Sequence, residues 1–330
     1  MEKTRIPELD KQATRVALGA WAIGGWKWGG TDEKASVQTI HAALEKGVNL
    51  IDTAPVYGFG TSEEILGKAL AEYGGRENLI LATKAGLAWD ANKKAVWRDS
   101  SPERLRKEVE DSLRRLQTDV IDIYQIHWPD PTVDLQTTAE TLARLKQEGK
   151  IRVAGVSNFS PEQMAEFQKG TTLGVCQPPF NIFERAAENE VIPYCSSNGI
   201  ATLTYGALCR GLLSGKMSRE RIFYGDDLRN IDPKFQQPRY EQYLAAAGRL
   251  QDFARKRHGK DILHLAVRFV LDRGASVALW GGRRPSDMDP LPQISGWELT
   301  DSDFREIDAI LQETVTDPVG PEFMAPPAKK

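Results

Sequence analysis

The hydrophobic positions of this chain fall into short apolar runs that alternate with longer stretches of helical period. Asn49-Leu50-Ile51-Asp52-Thr53-Ala54-Pro55-Val56-Tyr57-Gly58 sets the form. An apolar run ends on a carboxylate, proline and glycine stop it, and a phenol follows five positions after the aspartate. Such a stretch reads as a buried strand carrying polar groups to its own end. Leu79-Ile80-Leu81-Ala82-Thr83-Lys84 repeats the form and ends on an amine. Val120-Ile121-Asp122-Ile123-Tyr124-Gln125-Ile126-His127 repeats it again and ends on an imidazole, just before Trp128-Pro129. Successive strands therefore each finish on an ionisable side chain.

Between them the period changes to that of helices. Asp32 caps one running to about Lys46, with Ala35, Ile40, Ala43 and Leu44 on its buried face and Gly47 at its end. Thr61-Ser62-Glu63-Glu64 opens a second, and Ser101-Pro102-Glu103 a third with Leu105, Val109, Leu113 and Leu116 at helical spacing. Further strands are predicted at about Val16–Leu18, Ile151–Ser157, Val175–Gln177, Ile200–Tyr205 and Ser276–Trp280. Helices are predicted through Leu142 and Leu145, over Pro161–Gln168, Arg185–Asn198, Tyr240–His258 and Asp261–Arg273, and near Thr300–Leu311. Loose alternation from Thr4 to Leu18 around Leu9-Asp10-Lys11 predicts a hairpin leading into the first strand.

Three stretches lack a period. Gly19–Gly30 sets glycines around Trp21, Trp26 and Trp28 and reads as a loop with aromatic walls; the segment after Lys84, carrying Trp89 and Trp97, reads as a long loop. Lys216–Tyr240 is polar and rich in turn formers, an insertion over one face.

Eight strands alternating with helices, without a linker or an internal repeat, specify a parallel sheet closed into a (β/α)8 barrel. The expected architecture is an α/β TIM barrel forming a single domain over residues 1–330, with an N-terminal hairpin and extended loops at the C-terminal rim. An open doubly wound sheet is the competing topology, but no three glycines stand at its G-x-G-x-x-G spacing. Gly211-Leu212-Leu213-Ser214-Gly215-Lys216-Met217 likewise fails the P-loop spacing.

Charge narrows the partners. Lys+Arg 43 against Asp+Glu 46 leaves −3 with no long like-charge block, which excludes a nucleic-acid surface and a polybasic membrane anchor and points to a small molecule. No apolar run approaches the ~18 residues of a membrane helix, and Met1–Pro7 lacks a signal-peptide core, so a cytoplasmic location is expected. Cys176, Cys195 and Cys209 are odd in number and lack C-x-x-C spacing, which predicts free thiols and no metal site.

On a barrel all strands end on one rim, so Asp52, Tyr57, Lys84 and His127 are expected to converge there. A phenol is a weak acid near pKa 10, and an ammonium beside it is expected to favour the phenolate. A lysine buried at the rim needs a counter-charge, which Asp52 can supply. A neutral His127 can hydrogen-bond a carbonyl oxygen. Together these groups suit acid catalysis at C=O, with charge building on oxygen as a nucleophile arrives at carbon. None of them is an obvious nucleophile, so the arriving group is a hydride and a nicotinamide cofactor is implied.

These same residues carry a family resemblance. Asp52-Thr53-Ala54-Pro55-Val56-Tyr57-Gly58, Gly60-Thr61-Ser62-Glu63-Glu64-Ile65-Leu66-Gly67, Gln125-Ile126-His127-Trp128-Pro129-Asp130 and Gly155-Val156-Ser157-Asn158-Phe159 resemble, in order, the motifs of the aldo-keto reductase superfamily. The resemblance implies a catalytic tetrad with Tyr57 as proton donor, Lys84 and Asp52 as its tuning pair and His127 as substrate orienter. It implies that Ser157, Asn158 and Gln177 hold the nicotinamide carboxamide, that Tyr205 stacks on the nicotinamide ring, and that Leu208, Arg210, Ser214 and Lys216 lie on the loop closing over the pyrophosphate. Gly281-Gly282-Arg283-Arg284-Pro285 resembles the segment that takes the adenosine phosphate, and its arginines suit a 2′-phosphate. That favours NADP(H). Asp287, where relatives often carry Gln or Arg, and Pro290-Leu291-Pro292 depart from the pattern and leave NAD(H) as the weaker alternative. Trp21, Trp89 and Trp128 are the candidate walls of the substrate pocket.

The expected activity is NADP(H)-dependent reduction of small aldehydes, hydroxy-aldehydes and sugars among them. Potassium-channel beta subunits, which resemble the same fold and share the Gly-Thr-Ser-Glu-Glu pattern, supply an alternative: a cofactor-binding regulatory subunit. Ester hydrolysis on Ser157 is disfavoured, because Gly155-Val156-Ser157-Asn158-Phe159 misses the last glycine of the G-x-S-x-G elbow.

Overall fold

The chain opens with an antiparallel hairpin, β1 (Lys3–Arg5) and β2 (Gln12–Thr14), with Lys3 opposite Thr14. In the computed structural model, which describes residues 1–329, strand and helix then alternate. β3 (Val16–Gly19), α1 (Glu33–Glu45), β4 (Leu50–Asp52), α2 (Thr61–Tyr73) and β5 (Ile80–Ala85) come first. A second hairpin, β6 (Leu87–Trp89) and β7 (Val96–Arg98), follows, and then α3 (Pro102–Leu116), β8 (Ile121–Ile126), α4 (Leu135–Gln147), β9 (Ile151–Ser157), α5 (Pro161–Phe167) and β10 (Val175–Gln177). α6 (Val191–Ser197), β11 (Ala201–Thr204), α7 (Arg239–His258), α8 (Ile262–Asp272), β12 (Val277–Gly281) and α9 (Asp301–Thr314) complete the chain. The strands β3, β4, β5, β8, β9, β10, β11 and β12 form a closed parallel barrel, sealed where Leu279 lies beside Ala17.

Residues two apart on a strand point the same way, and this sorts the barrel into layers. Ala17, Leu50, Ile80, Ala82, Ile123, Val153, Val175, Leu203, Val277 and Leu279 fill the interior, closed at the hairpin end by Ile6 and Ala13. One alternation further along each strand, the inward positions become polar: Asp52 above Leu50, Lys84 above Ala82, Gln125 above Ile123, Ser157 two above Gly155, and Gln177 above Val175. In register, Asp52 lies beside Ala82, Lys84 beside Gln125, Gln125 beside Gly155, and Gln177 beside Ser157. Gly155 makes room there, because a Cβ on it would stand 2.7 Å from Gln125 Cγ.

The helices dress the outside and begin where the sequence says. Asp32 accepts the Ala35 N–H at 3.0 Å, and Ser160 with Gln163 forms a capping box. The predicted helix Arg185–Asn198 is corrected: only a 3-10 turn at Ala186–Glu188 and α6 form, because Pro193 has no N–H and fits only the first turn of a helix. The predicted loop after Lys84 is the β6/β7 hairpin, whose turn is held by Asp90 accepting the Lys94 and Ala95 N–H groups. Its strands are three residues long with no Asn-Gly turn, so they leave little pattern to read.

The 216–240 insertion carries 3-10 turns at Leu228–Asn230 and Pro233–Phe235 and is laced to the Gly19–Gly30 loop. Leu228 N–H donates to Lys27 O at 2.9 Å, and the Asp226 carboxylate accepts the N–H groups of Lys27 and Gly29 at 2.8 and 3.2 Å. Among the described residues no helix is long and apolar enough to cross a membrane. Cys176, Cys195 and Cys209 are free and buried.

Two backbones meet beneath Tyr57. A Cβ on Gly24 would stand 2.4 Å from Tyr57 O, and one on Gly58 2.2 Å from Gly24 O. Gly24→Ala, at a position where the backbone conformation tolerates alanine, must push the Tyr57 loop outward. It is expected to lower unfolding stability by about 1–3 kcal/mol in urea titration; stability equal to that of the unmodified chain would contradict this contact.

Candidate active site

The ends of β4, β5 and β8 bring the sequence-predicted groups together. Lys84 is fully buried, and its ammonium donates to Asp52 Oδ2 at 2.6 Å, to the Thr53 carbonyl at 3.0 Å and to Tyr57 OH at 3.2 Å. The other Asp52 oxygen accepts Gln177 Nε2 at 2.8 Å and Gln125 Nε2 at 3.1 Å. The His127 ring stands edge-on to Tyr57, centroids 5.7 Å apart, and Trp21 stacks on the phenol at 5.9 Å. Gln125 is the partner that sequence reasoning missed. The inward alternation Ile123, Gln125, His127 would have found it.

Burial governs the protons here. It pushes the Lys84 ammonium down, with Asp52 opposing, and holds His127 well below its ordinary value, with the Lys84 charge adding to the effect. The neighbouring ammonium does not set the net direction for Tyr57. Desolvation first, and then the Asp52 carboxylate, push Tyr57 well above its ordinary value. The phenol is therefore neutral and keeps its proton until charge develops on an acceptor beside it.

Tyr57 stands where two cavities meet. One, of about 710 Å³, runs from Trp21, Tyr57, Gln177 and Tyr205 along Leu208 and Ser214 to Lys216 and the Gly281–Asp287 segment. The other, of about 280 Å³, rises over Tyr57 and His127 between Trp21, Trp26, Trp128 and Phe323. Trp21 and Trp128 line the smaller cavity. Trp89 instead packs behind Phe59, centroids 5.5 Å apart, and under Arg104. Trp26 and Phe323 had no signal in the sequence beyond being aromatic.

The groups expected to hold a cofactor are already tied to one another. Ser157 Oγ donates to Gln177 O at 2.8 Å, and Asn158 Nδ2 donates to Ser157 Oγ at 3.0 Å and to His127 O at 2.9 Å. Asn158 Oδ1 accepts Tyr205 OH at 2.9 Å. The Gln177 amide nitrogen is committed to Asp52, so only its oxygen is open to a ligand. Ser214 Oγ is held within its own loop, donating to Gly211 O at 2.6 Å. Trp21 and Trp28 line the larger cavity, and their indole N–H groups are buried without a hydrogen-bond partner.

Arg210 differs most from expectation. Its guanidinium is turned into the protein and bonds both Glu184 and Asp232; Lys234 adds to Glu184 at 2.8 Å and to Gly320 O at 2.9 Å. This buried set of two cations and two anions fastens the loop 206–216 to the insertion and to the tail. Glu184, Asp232 and Lys234 lie far apart in the sequence and gave no signal there. At the other end of the cavity, Asp287 caps the N–H groups of Arg283 and Arg284 at 3.1 and 3.2 Å and meets Lys216 Nζ at 3.2 Å. The Arg283 side chain reaches across to the carbonyls of Trp28 and Gly30. Among the described residues no group of three or more His, Cys, Asp or Glu is placed to hold a metal ion.

A barrel with a phenol, an ammonium, a carboxylate and an imidazole at its C-terminal rim, beside a long groove, defines a class of oxidoreductase. The model of the Aldo/keto reductase family matches residues 15–312, and the chain belongs to that family. It is 55% identical to aldo-keto reductase YhdN of Bacillus subtilis, over all of this chain and 99% of that one. It is 40% identical to the NADH-specific methylglyoxal reductase of Escherichia coli, over 67% of this chain and 72% of the relative. The structure of glycerol dehydrogenase AKR11B4 from Gluconobacter oxydans superposes with a TM-score of 0.89 at 52% identity, covering 98% of this chain and 99% of that one. Members of this family reduce carbonyl groups with nicotinamide cofactors.

Removing Arg210 leaves two buried carboxylates facing one lysine. Arg210→Met is expected to cost about 3–5 kcal/mol of stability, read by urea unfolding; a loss within error of zero would mean the guanidinium is not committed to Glu184 and Asp232.

Proposed function

We propose that this protein, acting as one barrel unit in the cytoplasm, reduces small aldehydes to alcohols with NADP(H), hydroxy-aldehydes and sugars lying within its range. The observation that carries this reading is the position of Tyr57. Its hydroxyl is 3.2 Å from a buried ammonium, and Tyr57 lines both the cavity of about 710 Å³ and the small aromatic pocket. When bound, the nicotinamide supplies the hydride to the carbonyl carbon. The Tyr57 phenol gives its proton to the carbonyl oxygen, so that hydride and proton together make the alcohol. Lys84 stabilises the phenolate left behind, and Asp52 balances Lys84. Neutral His127 hydrogen-bonds the carbonyl oxygen and fixes its direction.

Around the nicotinamide, Tyr205 would offer its ring and the Ser157, Asn158 and Gln177 set would exchange bonds among themselves for bonds to the carboxamide. Lys216, Arg283 and Arg284 make the far end of the groove cationic, which supports NADP(H). One observation favours NAD(H) as a second reading. Asp287 occupies the backbone N–H groups of Arg283 and Arg284, where an anion would otherwise bind.

Loss of nicotinamide absorbance over an aldehyde panel tests the activity. Tyr57→Phe is expected to lower kcat by about 10²- to 10⁴-fold. Equal rates in both proteins would overturn the assignment, and tight cofactor binding without turnover would favour the regulatory-subunit alternative. With His127 protonating only well below 6.5, kcat for reduction is expected to show no break from about pH 6 to 7. A break within that range, in buffers of constant ionic strength, would contradict the assigned protonation states. Asp287→Asn keeps an acceptor for the backbone N–H groups and removes the charge. It is expected to raise the NADPH-to-NADH ratio of kcat/KM about tenfold; an unchanged ratio would mean that Asp287 does not face the ribose phosphate.

A further inference from the structure

The smaller cavity carries a charge pattern that the reduction of a carbonyl does not require. Its wall contains Lys27 and Lys94 but no aspartate or glutamate. Among the described residues neither ammonium forms an ion pair with a carboxylate, although the surface elsewhere is rich in such pairs. A surface lysine without a partner is ordinary. Two of them on the mouth of one small cavity, on loops that the fold fixes in place, are not explained by solubility.

Lys27 is held at φ +65°, a left-handed conformation that a residue with a Cβ adopts at a cost, although glycines stand close by at Gly29 and Gly30. Both of its backbone groups are pinned, the N–H by Asp226 and the carbonyl by Leu228 N–H. The Asp226 carboxylate of the insertion is engaged by the N–H groups of Lys27 and Gly29, and the Lys27 ammonium lies 5.5 Å from the centre of the Trp26 ring. Lys94 sits at the turn of the β6/β7 hairpin, where Asp90 is committed to the N–H groups of Lys94 and Ala95. The next residue back, Lys93, stands 5.7 Å from the centre of the Phe59 ring, and Phe59 contacts Trp26 with centroids 4.9 Å apart. The cavity wall thus carries the Lys27 and Lys94 cations together with Trp26, and Tyr57 and His127 line the same cavity.

Resting on the carbonyl-reductase reading above, we propose that the preferred substrates are aldehydes bearing an anionic group, a carboxylate or a phosphate monoester, at the end remote from the carbonyl. The aldehyde enters between Trp21 and Trp128 to reach Tyr57 and His127. Its anionic end remains at the mouth between the Lys27 and Lys94 ammonium groups, where partial exclusion of water by the aromatic rings strengthens the attraction. The cavity of about 280 Å³ limits the spacer to a few carbons.

Two matched pairs of substrates test this: butanal against succinic semialdehyde, and glyceraldehyde against glyceraldehyde 3-phosphate, each with wild type, Lys27→Met, Lys94→Met and the double variant. The wild type is expected to favour the anionic member of at least one pair by about tenfold or more in kcat/KM, with the preference falling as salt is raised. In the double variant the preference is expected to shrink to about twofold, while kcat/KM for butanal and glyceraldehyde stays unchanged. Preference confined to one pair identifies carboxylate or phosphate as the recognised group. Equal use of both members of both pairs, or a preference that survives the double variant and high salt, overturns the inference but leaves the reductase reading intact. Failure to reduce any of the four aldehydes overturns the reductase reading itself.

Discussion

A charged amine enclosed in a protein barrel is the constraint around which the rest of the site is arranged. Moving an ammonium out of water costs several kcal/mol even after relaxation, so Lys84 can be buried and charged only if its partners are close and complete. Asp52 provides the opposite charge, the Thr53 carbonyl a second acceptor and the Tyr57 hydroxyl a third. Asp52 is itself buried and would be expensive alone, so Gln125 and Gln177 donate to its remaining oxygen. The result is a closed set in which every strong donor and acceptor is answered, and its outermost member is the phenol. That phenol is the group proposed to meet the substrate.

The barrel makes this set possible through simple geometry. Period-two alternation stacks an apolar layer beneath a polar one, and closure of the barrel brings Asp52, Lys84, Gln125 and Gln177 within hydrogen-bond reach of one another although they are far apart in the chain. Burial that keeps His127 neutral also keeps Tyr57 protonated. A water-poor rim therefore selects the forms that hydrogen-bond a carbonyl and deliver a proton. The buried ions Arg210, Glu184, Asp232 and Lys234 do for the covering loops what the Lys84 set does for the rim: they hold segments without regular structure in one arrangement.

Much of this is legible in the sequence, for physical reasons that can be named. Strands buried on both faces must be short apolar runs, and a charged residue at the end of such a run has nowhere to go but the rim. Asp52, Lys84 and His127 announce themselves in that way. Gln125 is hidden because an uncharged amide inside an apolar run draws no attention, although its parity with Ile123 places it inward. Arg210 misleads because a cation on a glycine-rich loop looks free to meet phosphate, whereas its partners Glu184 and Asp232 are brought to it only by tertiary folding. The β6/β7 hairpin and the lysines at the pocket mouth depend on turns held by Asp90 and Asp226, which a reading of periodicity does not register.

The dependence of Lys84 on Asp52 can be measured directly in the pH profile of kcat/KM for Asp52→Asn. Without the carboxylate the desolvated ammonium loses its main support and releases its proton at lower pH. The account predicts that this variant's reductase activity falls as pH rises through the new ionisation, below the range in which the unmodified enzyme loses activity. A variant with the same pH profile and the same stability as the unmodified enzyme would contradict the claim that the buried pair sets the charge of the site.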